Sequence, residues 1–390
     1  MHRTLTLGIV LAGLAAALPA ARAADRPGPA QRPAAAAEAE RLGWNPAGLA
    51  AMVAYAKTLS TDTLLVVTDG RTVAALGDPS RPYNVHSVRK ALLSALVGQH
   101  VGKGPKRIDL DTTLADLGID DAPGPLTPPQ KQATVRHLIN SVSGINHPAA
   151  AEEGQAAEKT RRLGTAENRP GTKWAYNNWD YNVLTTVFET RTGLSVAAAF
   201  DRGIARPAGL RDFTPRAVRY ARAPRRSMHR AAMFRLSGRD LATFGRIYLN
   251  GGTLGGKRIL SKDWIDRITT ETVDTGMGGL RAGHGYLWWV PARSTGLPGG
   301  SYWALGLGQQ AVFVIPAWNT VVVHQSDTTE FVRRFVQAIR GGEKPEAALE
   351  RLVVFCLDRA ARKTEFCRKH AFITRRQFER LVSMIVRARR

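Results

Sequence analysis

The sequence predicts an α+β protein. One antiparallel sheet is assembled from both ends of the body, and a helical domain is inserted between its halves. Three observations carry that expectation. Thr63-Leu64-Leu65-Val66-Val67-Thr68 and Thr72-Val73-Ala74-Ala75-Leu76 are β-rich runs joined by the hairpin signal Asp69-Gly70. Late in the chain come four more strand-like runs, Tyr286–Val290, Ser301–Leu307, Ala311–Ile315 and Thr320–His324, with short turns between them. The stretch between the two sets carries apolar residues mostly at helical spacing. Strands that follow one another through tight turns pair antiparallel.

In chain order, residues 1–23 read as a secretory signal: Arg3, an apolar run from Leu5 to Leu18, and Ala21-Arg22-Ala23 as a small-x-small cleavage pattern. A Pro-, Ala- and Arg-rich leader follows to residue 38. The mature protein is therefore expected to be periplasmic or secreted. Ala36 to Ala56 has the spacing of a helix, with Leu42, Leu49, Met52 and Val53 on one side. After the first hairpin comes Asn84-Val85-His86-Ser87-Val88-Arg89-Lys90 and the apolar run Ala91 to Val97, which reads as a tight turn entering a buried helix.

Ser87 would sit at the mouth of that helix, where free backbone N–H groups and the positive dipole end point outward. Lys90 falls one turn deeper on the same face. A lysine stripped of water favours its neutral form, and a neutral amine can take a proton from a hydroxyl. Ser87 is thus a candidate nucleophile and Lys90 its base. Further on, Lys106–Leu117 reads as a loop leading into a short helix, and Val135–Asn140, Trp179–Thr192, Val196–Ile204 and Gly238–Tyr248 as helices. The last two are separated by an Arg-rich loop. Asn250 to Lys257 is a hairpin-like turn, and Glu330–Arg340 an amphipathic helix.

Several ordered motifs resemble the serine β-lactamase and penicillin-recognising superfamily. Ser87-Val88-Arg89-Lys90 matches its S-x-x-K motif. Tyr176-Asn177-Asn178, preceded by Pro170-Gly171-Thr172, matches Y-x-N, and His137 to Ile145 resembles the family's HLLTHTSGL segment. Tyr248-Leu249-Asn250-Gly251-Gly252 with Gly283-His284-Gly285-Tyr286-Leu287-Trp288-Trp289 is similar to the class C-like branch that includes the 6-aminohexanoate-dimer hydrolases and family VIII-type esterases. The resemblance covers about residues 40–340. It implies a β-lactamase-like (D,D-peptidase-like) fold and a Ser87 acyl-enzyme, with Lys90 and Tyr176 sharing the base and acid roles. Asn178 would bind substrate or Lys90.

The third family motif departs from its usual form. Where relatives carry K-T-G, K-S-G, H-x-G or W-x-G, this chain has Leu305-Gly306-Leu307-Gly308-Gln309-Gln310. Gly308 is expected to let substrate approach the strand, and Gln309 to give the second oxyanion N–H beside that of Ser87. The missing Lys and hydroxyl argue against an efficient β-lactamase and leave room for a neutral ester or amide. A peptidoglycan D,D-peptidase or weak β-lactamase is one alternative; a non-catalytic envelope-binding protein of the same fold is another. The histidines are scattered, with His284 and His324 as possible cleft residues, so no metal and no cofactor are expected.

The boundaries expected are 1–23 signal, 24–38 leader, 39–341 hydrolase domain and 342–390 basic helical appendage. The net charge is +23. An exported protein rarely meets nucleic acid, so an Arg-rich solvated surface, or contact with an anionic cell envelope, is the expected meaning. In the appendage, Thr374-Arg375-Arg376-Gln377 resembles a capping box before Phe378, Leu381, Val382 and Ile385. Cys356 and Cys367 are the two cysteines of the chain, and in an oxidising compartment they suggest one disulfide. On one helix they would stand about 16 Å apart, against the roughly 7 Å that a disulfide tolerates, so a helix break between them is expected.

Overall fold

Strands covered on both faces read as unbroken apolar runs, and the central strands here are buried along their whole length. The computed structural model describes residues 36–102, 104–152, 155–343, 347–348 and 373–390. The strands are β1 (Thr63–Thr68), β2 (Arg71–Gly77), β3 (Pro82–Asn84), β4 (Val218–Ala223), β5 (Ser227–Ser237), β6 (Thr253–Leu254), β7 (Lys257–Arg258), β8 (Val273–Asp274), β9 (Gly283–Gly285), β10 (Trp288–Val290), β11 (Tyr302–Gly306), β12 (Gln310–Ile315) and β13 (Thr320–Gln325). Among the described residues, eight of them form one antiparallel sheet in the order β2-β1-β13-β12-β11-β10-β9-β8. The first and last thirds of the body meet where β1 pairs with β13, Val66 opposite Val322.

The alternation of side chains divides the interior into two cores. Leu65, Val67, Val312, Val314, Val321 and Val323 face the inserted helices. Leu64, Val66, Ala311, Phe313, Ile315 and Val322 face the terminal helices. On the first side the serine helix Arg89–His100 is buried over nearly its whole length, against helices Asn178–Thr192 and Gly238–Leu249. On the second side helices Pro46–Lys57 and Arg375–Ala388 close the layer.

Four sequence expectations are corrected by the structure. The single helix expected over Ala36–Ala56 is two, Ala36–Arg41 and Pro46–Lys57, because Asn45 accepts from the N–H groups of Ala47 and Gly48 and Pro46 starts a new helix. The Arg-rich loop is an antiparallel pair, β4 with β5. β5 buries His229, Ala231, Phe234 and Leu236 while Arg235 is exposed, so arginines on a solvent face disguised a strand. The run Tyr286–Val290 is not one strand. Tyr286 and Leu287, both with positive φ (50° and 69°), form the turn of the β9–β10 hairpin. Lys106–Leu117 stays in turns and forms no helix.

The terminal helix Arg375–Ala388, within the expected 342–390 appendage, packs on the body. Its capping box is present, with Thr374 and Gln377 each capping the other. Phe378 stacks on Trp303 and Phe313 at centroid distances of 5.9 and 6.2 Å. Tail and body meet again where Trp44 bridges to Arg389. Residues 1–35 and the cysteines Cys356 and Cys367, with the disulfide expected of them, lie outside the described residues. Among the described residues no helix is long and apolar enough to cross a membrane.

Phe378→Ala removes the ring that covers the back of the sheet, so it is expected to cost about 3–5 kcal/mol. Urea unfolding measures it. An unchanged midpoint would mean that the terminal helix is not part of the cooperative unit.

Candidate active site

Ser87 lies in the tight turn His86–Val88 that runs directly into the helix Arg89–His100. Lys90, one turn on, is 3% exposed, and its Nζ donates to Ser87 Oγ at 2.7 Å. The same nitrogen sits over the rings of Tyr176 and Tyr181, 4.7 and 4.9 Å from their centroids. The two tyrosines differ in surroundings. Tyr181 is buried, its hydroxyl shares a 2.5 Å hydrogen bond with Ser141 Oγ, and burial pushes its phenol well above the usual range. Tyr176 lines the open cleft, stacked on Trp289 at 5.7 Å, and is therefore the phenol that can reach a substrate.

The Tyr-x-Asn segment is held from behind. Asn177 caps the helix Asn178–Thr192 by accepting from the Trp179 N–H, and its amide donates to Ile145 O at 2.8 Å. Ser143 donates to Asp180 at 2.6 Å. With Asn177 as the cap, Asn178 is left to line the cleft, and among the described residues its Oδ1 has no hydrogen-bond partner. The two serines of the Asn140–Gly144 segment thus hold Tyr181 and Asp180, in the helix that follows the Tyr-x-Asn turn.

The opposite wall is the end of β11. Its first half is paired on both sides, but β10 meets it only at Trp303, so the strand opens toward Ser87 instead of lying at a true sheet edge. Gly306 makes the closest approach. A Cβ there would stand 2.5 Å from Val85 O and 3.1 Å from the Ser87 nitrogen. Gly308 and Gln309 line the same cleft, two and three residues further on. Their turn is pinned: Ser326 Oγ donates to Gly308 O at 2.6 Å, and Gln309 Nε2 donates to Ile373 O at 3.3 Å.

His324 and His284 stand behind the cleft. His324 Nδ1 lies 2.8 Å from Gln309 O and its Nε2 3.0 Å from Thr61 Oγ1. A carbonyl only accepts, so Nδ1 carries the proton and Nε2 accepts from the threonine. Burial pushes His324 down to about 4. His284 packs between Trp174 and Trp289, and burial, with nearby Lys90 second, pushes it down to about 3. Both are neutral at ordinary pH.

Of the six expected site residues, Ser87, Tyr176, Asn178, Gly308 and Gln309 line one cavity of about 220 Å³, and Lys90 lies behind Ser87, against its hydroxyl and the Tyr176 ring. Sequence reading missed Gly306 as the nearest glycine, the Trp174–Trp289 wall, and Arg162 and Arg281 at the rim. The tryptophans were visible as an aromatic-rich motif; the arginines carried no signal. Among the described residues no group of three His, Cys, Asp or Glu is arranged to hold a metal ion.

Comparison with known proteins identifies the family and the fold. The family model described as Beta-lactamase matches residues 20–340. The chain belongs to the Beta-lactamase family. Its fold is β-lactamase-like, and its superfamily consists in general of serine hydrolases. An uncharacterized protein of Alkalihalophilus pseudofirmus is 24% identical over 261 residues, which is 62% of this chain and 72% of that protein. A candidate 6-aminohexanoate-dimer hydrolase from Bacillus anthracis shares the fold at 21% identity and TM-score 0.52, over 72% of this chain and 78% of that one. So does EstCE1, a hydrolase with promiscuous acyltransferase activity, at 17% identity and TM-score 0.51, over 72% and 94%.

Two outcomes are expected. Gly306→Ala pushes β11 off the Ser87 turn and lowers kcat by about 100-fold or more, in a protein that still folds by circular dichroism; unchanged kcat would remove β11 from the site. The second concerns acid stability. Between pH 6.5, the ordinary value for histidine, and about 4, unfolded His324 binds a proton that the folded form refuses. Stability therefore falls on acidification through that window, by about 1.4 kcal/mol per pH unit for this one group. His324→Gln should remove that share of the slope in unfolding measured across the window. Equal slopes would show a histidine that titrates normally.

Proposed function

We propose that this protein is a serine hydrolase that cleaves an ester or amide through a Ser87 acyl-enzyme. The observation that carries the reading is the 2.7 Å contact between Lys90 Nζ and Ser87 Oγ, with the amine buried against the Tyr176 ring and Ser87 lining the open cleft. Burial disfavours the charged amine, and contact with a hydroxyl gives the amine a proton to take. Ser87 Oγ attacks the substrate carbonyl and its proton passes to the Lys90–Tyr176 pair. The tetrahedral oxyanion then collapses, the leaving group departs with that proton, and water attacks the acyl-enzyme by the reverse sequence.

The oxyanion is assigned to the Ser87 N–H and to the first residue beyond β11, Leu307. The close approach of Gly306 to the Ser87 nitrogen supports Leu307 over the Gln309 expected from sequence. Asn178, which lines the cleft, is assigned to a substrate N–H or hydroxyl. The hydrolase names of the structural neighbours support the reaction class. The signal-like residues 1–23 support export, which N-terminal sequencing of the mature protein tests.

Intact-mass spectrometry with a fluorophosphonate is expected to show one adduct on the wild type and none on Ser87→Ala. Lys90→Ala and Tyr176→Phe should slow labelling by about 100-fold or more, and Tyr181→Phe by far less. A stable penicilloyl adduct would move the reading to a penicillin-binding enzyme. No adduct from either reagent on folded protein would overturn it in favour of a binding protein.

A further inference from the structure

The missing lysine of the third motif suggested an uncharged substrate, but the cleft has a cation from elsewhere. Arg281 ends the short turn Gly279–Arg281 that leads into β9. It lines the catalytic cleft together with Ser87, Tyr176 and Gln309. It also lines an adjoining side pocket of about 130 Å³, formed with Leu305, Gln309, Arg375 and Phe378. Arg281 thus stands where the two cavities join, partly withdrawn from water.

Its surroundings leave its charge without a direct partner, Glu379 acting on it only from a distance. Each carboxylate lining the two cavities already has a cation. Glu152 pairs with buried Lys159 at 2.5 Å, Glu158 with Arg161 and Arg162 at 2.8 and 2.7 Å, and Glu379 with Arg375 at 2.7 Å. Arg162 is committed further, donating to Thr275 O at 2.7 Å and lying 4.9 Å over the Trp174 ring. Among the described residues the Arg281 guanidinium has no hydrogen bond and no ion pair. An arginine cannot shed its proton to escape burial. Burial first and the neighbouring Arg375 second push Arg281 down from its ordinary value, and the pull of Glu379, whose carboxylate is already paired with Arg375, does not offset them. A carboxylate matches the guanidinium fork with two parallel hydrogen bonds.

We propose that the cleft selects esters or amides that carry a carboxylate, which Arg281 binds while the reacting carbonyl lies at Ser87. This rests on the serine hydrolase reading and adds the substrate's charge to it. The anion is held from the β8–β9 connection instead of from β11, where the family's lysine would have stood.

The test uses the full chain and two acyl esters of one shape, p-nitrophenyl valerate and mono-p-nitrophenyl glutarate, in which a carboxylate replaces the terminal methyl. Arg281→Gln is expected to lower kcat/KM for the glutarate by about 10- to 100-fold, chiefly through KM, and to leave the valerate within about 3-fold. Arg281→Lys should restore part of the loss, and added salt should weaken only the glutarate reaction of the wild type. An unchanged fluorophosphonate labelling rate in Arg281→Gln shows that the variant is folded. If the variant changes both esters alike, or neither, the proposal fails while Ser87 labelling keeps the hydrolase reading. If Ser87 takes no label and the wild type turns over neither ester, both fall together.

Discussion

The structure depends on holding a lysine amine against a serine hydroxyl away from water. Lys90 is buried, and its nitrogen touches Ser87 while facing two aromatic rings. Such a placement strips the amine of its hydration, a cost that the hydroxyl contact and the two ring faces offset in part. The environment that imposes this is wide. It needs the serine helix sunk among apolar neighbours, the helix after the Tyr-x-Asn turn held by Ser141 and Ser143, and Gly306 close enough to close the other side.

The two-sided sheet makes that burial possible. Its front core encloses the serine helix, and its back core is completed by the terminal helix. The row Val66, Val322, Phe313 and Trp303 runs across paired strands on the back face and ends under Phe378. The same terminal helix borders the turn after β11, through Ile373 O and the side pocket at Arg281. Packing of the tail and the shape of the cleft are therefore one structural problem.

Much of this was legible in the chain. β1, the turn at Asp69-Gly70, β12, β13 and the Thr374 capping box carry local chemistry that determines local structure, and the S-x-x-K and Y-x-N residues meet as expected. What was not legible depends on partners distant in sequence. Tyr286 and Leu287 are poor I′ turn residues, and Tyr286 tolerates its positive φ because its ring is fully buried and its hydroxyl bonds Arg136 at 3.0 Å. Gly306 and Gly308 are equivalent in sequence, and only the register of β11 on β12 shows which one faces Ser87. The docking of Phe378 depends on Trp303 and Phe313, more than sixty residues away.

The most direct measurement is acid-quenched mass spectrometry of the enzyme during turnover of an activated ester. The account predicts a transient mass gain of one acyl group, mapped to the peptide containing Ser87, that decays as substrate is consumed and is absent from Ser87→Ala. Turnover at the same rate in Ser87→Ala, or an acyl group mapped to any other side chain, would contradict it.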